Sequence, residues 1–225
     1  MSKRSSVECG VLSPGELWDK GNAEDWVAVL GREDEAVGVV ASRGGKKRDL
    51  TKLHRWFRDW VVGKEGLAKA ELVKMMDWKL TRGKMRPLMR FIVALNEKKI
   101  EETTKKALSE PALAGDSLSI EVLKAAVTTL SELKGVGTAT ASVVLSRFNP
   151  KLYPFMSDQA LELTGPRTYT LGRYLDLAKE LNAKAEELNK ECGDSDAFTC
   201  EQIERAIFTA AVLSEGSGSS KKLKK

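Results

Sequence analysis

Residues 118–148, LSIEVLKAAVTTLSELKGVGTATASVVLSRF, constrain the fold more than any other stretch. Val122, Leu123, Ala126, Val127, Leu130 and Leu133 recur at the spacing of one helix face, with Ser119 or Ser117 as the N-cap. Gly135-Val136-Gly137 then turns the chain, and a small-residue helix over Thr138–Phe148 returns, closed by Asn149-Pro150. Glycines at such a turn let backbone approach a ligand with no Cβ between them. The helix that follows aims free N–H groups and its positive dipole end at that space, a natural seat for an anion.

The same helical period recurs through most of the chain: Leu53, Trp56, Phe57, Trp60 and Val61, then Leu67, Ala70, Leu72, Met75 and Met76. A helix beginning at Pro14-Gly15 carries Leu17 and Trp18 and reads as continuing past Trp26 to Leu30. Pro87 opens a helix through Leu95, Lys98–Leu108 forms another, and further helices are expected from Ser157, over 170–191 and over 199–213. The ambiguous segment is 35–48, where VGVVAS suits a short strand but the following GG and basic run favour a loop. The expectation is an all-α, two-lobed bundle of about ten helices spanning 13–214, with flexible tails at 1–12 and 215–225. The lysine cluster of the last tail suits nuclear import, non-specific nucleic-acid contact or simple solubility.

With 225 residues, 42% of them hydrophobic, the chain can bury a substantial core. The formal charge of +5 conceals an asymmetry. Arg43–Lys106 holds nineteen Lys/Arg against eight Asp/Glu, whereas Asp176–Glu215 holds four against ten. A basic middle suits a polyanion. Its densest part, DWKLTRGKMRPLMR over 77–90, sets Lys79, Arg82, Lys84, Arg86 and Arg90 around a helix boundary. Arg82, Lys84 and Arg86 are the candidate DNA contacts there, although a solvated basic turn has the same composition. Trp78 either stacks on a base or packs in the core. Cys9, Cys192 and Cys200 are too few and scattered for a zinc site, and their odd number fits a reducing, intracellular compartment. No apolar run serves as a signal peptide or membrane span. His54 has no Ser or Cys nucleophile in a recognisable setting, so a hydrolase triad has no support.

The run LKGVGTATASVVL resembles the helix-hairpin-helix motif, with Leu133, Gly135, Val136, Gly137, Ala141 and Val144 at the motif's positions. The segment after it, YPFMSDQALEL, sets Asp158 behind a short extended stretch and at a helix start. Together they resemble the helix-hairpin-helix DNA glycosylase superfamily over roughly residues 118–164, whereas the first 45 residues do not. The resemblance implies a duplex DNA-binding protein that releases a damaged or mispaired base, and the expectation for the chain is an intracellular, nuclear monomer. It makes Asp158 the catalytic carboxylate and Lys134, Gly135, Val136, Gly137, Thr138, Ala139 and Thr140 the DNA-gripping hairpin. It also implies a K⁺ or Na⁺ ion on the main-chain carbonyls of Ser131, Leu133 and Val136. Members that also cut the strand carry a lysine where this chain has Ala139, so no lyase step is expected by that route, and no iron–sulfur cluster is expected either. Other readings stay open. Ser157-Asp158 is what a helix N-terminus prefers, and the same fold serves DNA binding without catalysis, alone or within a complex. A third reading sets the hairpin against a protein and the basic loop against an acidic partner.

Overall fold

The computed structural model describes residues 11–43, 49–195 and 197–219. Over these residues the protein is all-α, with no strand among them. The helices are α1 (Pro14–Lys20), α2 (Ala23–Leu30), α3 (Glu33–Arg43), α4 (Leu50–Asp59), α5 (Lys69–Arg82) and α6 (Met89–Val93). After them come α7 (Glu97–Leu108), α8 (Ile120–Leu130), α9 (Thr138–Phe148), α10 (Asp158–Thr164), α11 (Leu171–Cys192) and α12 (Cys200–Ser219), with a 3-10 turn at Pro111–Ala114.

Three stretches differ from the sequence expectations. The stretch 14–30 is two helices, because Asn22 and Asp25 form a capping box that starts a new helix after Gly21. VGVVAS is helical, lying in α3 behind an acidic first turn of Glu33, Asp34 and Glu35, with Ala36 and Val37 buried. Helix α12 runs to Ser219, beyond the expected tail start, and Glu215 in its last turns meets Arg43 at 3.3 Å. The expected loop at 44–48, the polar start over 1–10 and the final lysines lie outside the described residues.

Helix α12 packs against α1, α2, α3, α10 and α11, and α5 packs against α4, α6, α7 and α9. The core is built on large side chains, among them Trp26, Trp78, Tyr153, Tyr174 and Phe208. Burying each contributes about 1.5–3 kcal/mol. Trp78 belongs to this core, stacked on Phe57 with centroids 3.5 Å apart.

A buried ionic network fastens α12 to its neighbours. Arg205 pairs with Glu33 of α3 and with Glu201, and Glu201 in turn holds Arg147 of α9 at 3.2 Å. His54 Nε2 lies 3.2 Å from Glu33, while its Nδ1 accepts from Trp78 Nε1. Arg147 also donates to the carbonyls of Trp60 and Arg58, which terminates α4 against α9. Burial pushes the Glu33 carboxyl up, but hydrogen bonds from His54 and Arg205, with their charge, outweigh it and leave Glu33 well below the ordinary carboxylate range.

Candidate nucleic-acid interface and active-site cleft

The turn between α8 and α9 has two glycines with different jobs. Gly135 sits at φ +92°, and a Cβ there would lie 2.8 Å from Phe91 Cβ. Only glycine fits that close crossing of the turn over α6. Gly137 has an extended φ of −107° and no atom within 4 Å of where a Cβ would be. It is the N-cap of α9 and supplies no side-chain cap, and the amides of Thr138 and Ala139 have no acceptor among the described residues. Leu133 and Val136 are buried, so Val136 offers a ligand only its backbone. The Leu133 carbonyl accepts from Val136 N at 2.9 Å. Lys134 is exposed and lies over the Phe91 ring, opposite no carboxylate among the described residues.

After α9 the chain is extended through Tyr153–Ser157, and side chains fix its path. Ser142 Oγ accepts from Met156 N, Tyr174 donates to the Pro154 carbonyl and Asn182 to that of Leu152. Burial pushes the Tyr153 phenol up to about 12, so it stays a neutral donor to the Leu113 carbonyl. These bonds deliver Ser157 and Asp158 to one place. Ser157 is the N-cap of α10, accepting from Ala160 N. The capping role that the sequence left open for Asp158 is therefore filled by its neighbour.

Asp158 instead lines a cleft of about 460 Å³. Tyr169 donates to its Oδ1 at 2.5 Å, and Arg167 stands 3.7 Å from Oδ2 while gripping Glu162 at 2.7 Å. Burial pushes the Tyr169 phenol up, and the hydrogen bond to Asp158 adds to it. Into the same cleft come Gly137, Thr138, Ala139 and Thr140 from the start of α9, and Lys84 and Arg86 from the basic turn after α5. Arg86 lies over the Tyr169 ring, 5.7 Å from its centroid. The start of α9, the basic turn and the carboxylate, separate in sequence, thus share one concavity.

Arg82 corrects a sequence expectation. Its side chain is 3% exposed, paired with the equally buried Glu204 at 2.9 Å and stacked 3.9 Å from the Phe208 centroid. It reaches the cleft wall but not a duplex at the surface. The cause is tertiary: Arg82 is the last residue of α5 and turns inward to a carboxylate on α12. Burial raises the Glu204 carboxyl against the pull of Arg82.

Two features of the cleft were not legible as site residues. Phe155 and Phe208 form an apolar wall, the second arriving from α12. Lys79 faces the cleft from α5, with its amine held below the ordinary lysine value by burial and by Arg86, against the opposing charge of Asp158. Among the described residues no group of three or more His, Cys, Asp or Glu side chains is arranged to hold a metal ion. No helix there is long and apolar enough to cross a membrane. No family model, curated protein or solved structure matches the chain, so the geometry of the cleft carries the functional reading.

Proposed function

We propose that the protein binds duplex DNA and hydrolyses the N-glycosidic bond of a damaged or mispaired base. The observation that carries this is the convergence of Asp158 with the open α9 N-terminus and the Lys84–Arg86 turn in one cleft. On this reading α8, its turn and α9 are a helix-hairpin-helix. The exposed backbone at Gly137–Ala139 takes a phosphate, and Lys134, Lys84 and Arg86 supply surrounding positive charge. The helices packed around α12 and those around α5 would be the two lobes flanking the cleft. The carbonyls of Ser131, Leu133 and Val136, neutral oxygen donors within one turn, suit a K⁺ or Na⁺ ion that would stiffen the hairpin.

The chemistry follows from the cleft. A base cannot be reached inside the stack, so it is extruded, at a cost of a few kcal/mol that is least for a damaged or mispaired nucleotide. The apolar wall of Phe155 and the Tyr169 ring receive its faces. Positive charge develops on the deoxyribose as the bond to the base lengthens. Asp158, oriented by Tyr169 and Arg167, stabilises that charge or takes the proton of the attacking water.

A second reading, a DNA-binding module without catalysis, draws on one observation: both Asp158 oxygens already have partners in Tyr169 and Arg167. Substitution of Asp158 by Asn separates the two. The glycosylase reading expects base release to fall on the order of 10²–10⁴-fold, with duplex affinity retained. Equal base release by the wild type and Asp158→Asn would sink it. Affinity that ignores both salt and the Lys84 and Arg86 charges would favour a protein partner instead.

A further inference from the structure

Arg82 holds more hydrogen-bonding capacity than its ion pair uses. A guanidinium presents several N–H donors, and Glu204 accepts from Nη2 alone, at 2.9 and 3.2 Å. Two other arginines spend more of theirs: Arg32 grips Glu35, and Arg205 grips Glu33, through Nε together with Nη2. Arg82 Nε is instead buried with no acceptor, and among the described residues it is the one such nitrogen whose residue lines the cleft. The group is also held still. The Phe208 centroid lies 3.9 Å from its guanidinium carbon, with Phe155 at 5.2 Å and Trp78 at 5.4 Å. A fixed, desolvated donor left unsatisfied is costly to the free protein, and an acceptor that enters the cleft recovers that cost.

We propose that Arg82 reads the extruded base and selects bases that carry a carbonyl oxygen. This rests on the reading that a base leaves the duplex and enters the cleft. Phe155 borders Arg82 and belongs to the apolar wall that takes a face of the base. A base on that wall brings one edge to Arg82, and a carbonyl on that edge accepts from Nε–H. Discrimination comes from what is left unpaired: a base with no acceptor there keeps the buried donor orphaned, which a site built to hydrogen-bond its substrate penalises heavily. Glu204 is the positioning residue. It fixes the guanidinium and neutralises its charge, so Nε offers a directed hydrogen bond and not a general attraction for anions. The exposed charges of Lys84 and Arg86 remain for the phosphates.

The test uses the full chain and two duplexes that differ in one nucleotide. One carries pseudothymidine, a carbon-linked thymine isomer with both carbonyls. The other carries a carbon-linked difluorotoluene of the same shape, whose fluorines accept hydrogen bonds poorly. Each stands opposite an abasic-site analogue, so neither has a pairing partner to lose, and neither carbon–carbon link can be hydrolysed. By fluorescence anisotropy the wild type should bind the pseudothymidine duplex about tenfold to hundredfold more tightly, the worth of one hydrogen bond to a charged group. Arg82→Met combined with Glu204→Leu removes both buried charges together, so neither is left unpaired. That variant should melt near the wild type and lose the preference, whereas Lys98→Gln, exposed on α7, should keep it. Equal binding of the two duplexes by the wild type, or a preference retained by the folded double variant, overturns the proposal. The wild-type comparison decides the matter if the double variant fails to fold. Preference without base release from any damaged duplex would fault hydrolysis alone, and base release without preference would fault Arg82 alone. A wild type that binds neither duplex overturns both.

Discussion

The two hairpin glycines provide a sharp perturbation, because alanine should injure different properties at each. At Gly135 an alanine must hold φ +92° and place its Cβ 2.8 Å from Phe91 Cβ. The backbone conformation costs about 1–2 kcal/mol and the overlap about 1–3 kcal/mol. Reduced entropy of the unfolded chain returns about 0.4–1 kcal/mol. The net loss of about 1–4.6 kcal/mol lowers the melting temperature by roughly 2–18 °C at this chain length. At Gly137 the space is open and φ is ordinary, so the poorer N-cap and the unfolded-state gain offset to within about 0.5 kcal/mol. The new methyl group instead stands where a phosphate would approach the α9 amides. Losing a hydrogen bond to a charged group there costs about 1.5–3 kcal/mol, roughly a tenfold to hundredfold weakening of duplex binding. Calorimetric melting and fluorescence anisotropy with a labelled duplex read the two effects. A Gly137→Ala protein that melts as early as Gly135→Ala, or one that binds duplex as tightly as the wild type, would refute the reasoning.

Other perturbations follow from the buried pairs and the basic turn. Removing Lys84 or Arg86 should weaken duplex binding about equally across sequences and lower the salt slope by about one for each phosphate that the side chain neutralises. Arg82→Met should leave that slope alone and destabilise the fold by roughly 3–5 kcal/mol, because Glu204 is left buried without its partner. Glu33 titrates below its ordinary value of 4.5 in the folded protein, so its contribution is present above that pH and is lost as acid protonates it. Stability should therefore fall from about pH 5 downward. Glu33→Gln should cost roughly 3–5 kcal/mol at neutral pH and flatten that acid limb in urea titrations followed by circular dichroism.

Periodicity carried the fold class because amphipathic helices announce themselves locally. Leu123, Val127 and Leu130 had to share a face, and they are buried together. Boundaries departed from the periodic pattern where a short-range signal overrode it, as in the Asn22–Asp25 capping box and the acidic opening of α3. The place of Asp158 after the hairpin was legible, and its orientation toward the cleft was set by Ser142, Tyr174 and Tyr169, residues whose partners lie far along the chain. Arg82 shows the limit most clearly. A run of basic residues reads as a surface patch, and nothing near it signals that one of them will be neutralised by Glu204. Lys79 is the converse case, an ordinary helix lysine in the sequence that the fold brings into one cleft with Asp158.

The most direct test of the central claim is single-turnover base release from duplexes that each carry one of a broad panel of damaged or mispaired bases, with wild type and Asp158→Asn side by side. The account predicts that the wild type frees the base from at least one duplex and leaves an abasic site, and that Asp158→Asn binds the same duplex without freeing it. Release that is undiminished in Asp158→Asn, or a wild type that binds every duplex and frees no base, would contradict it.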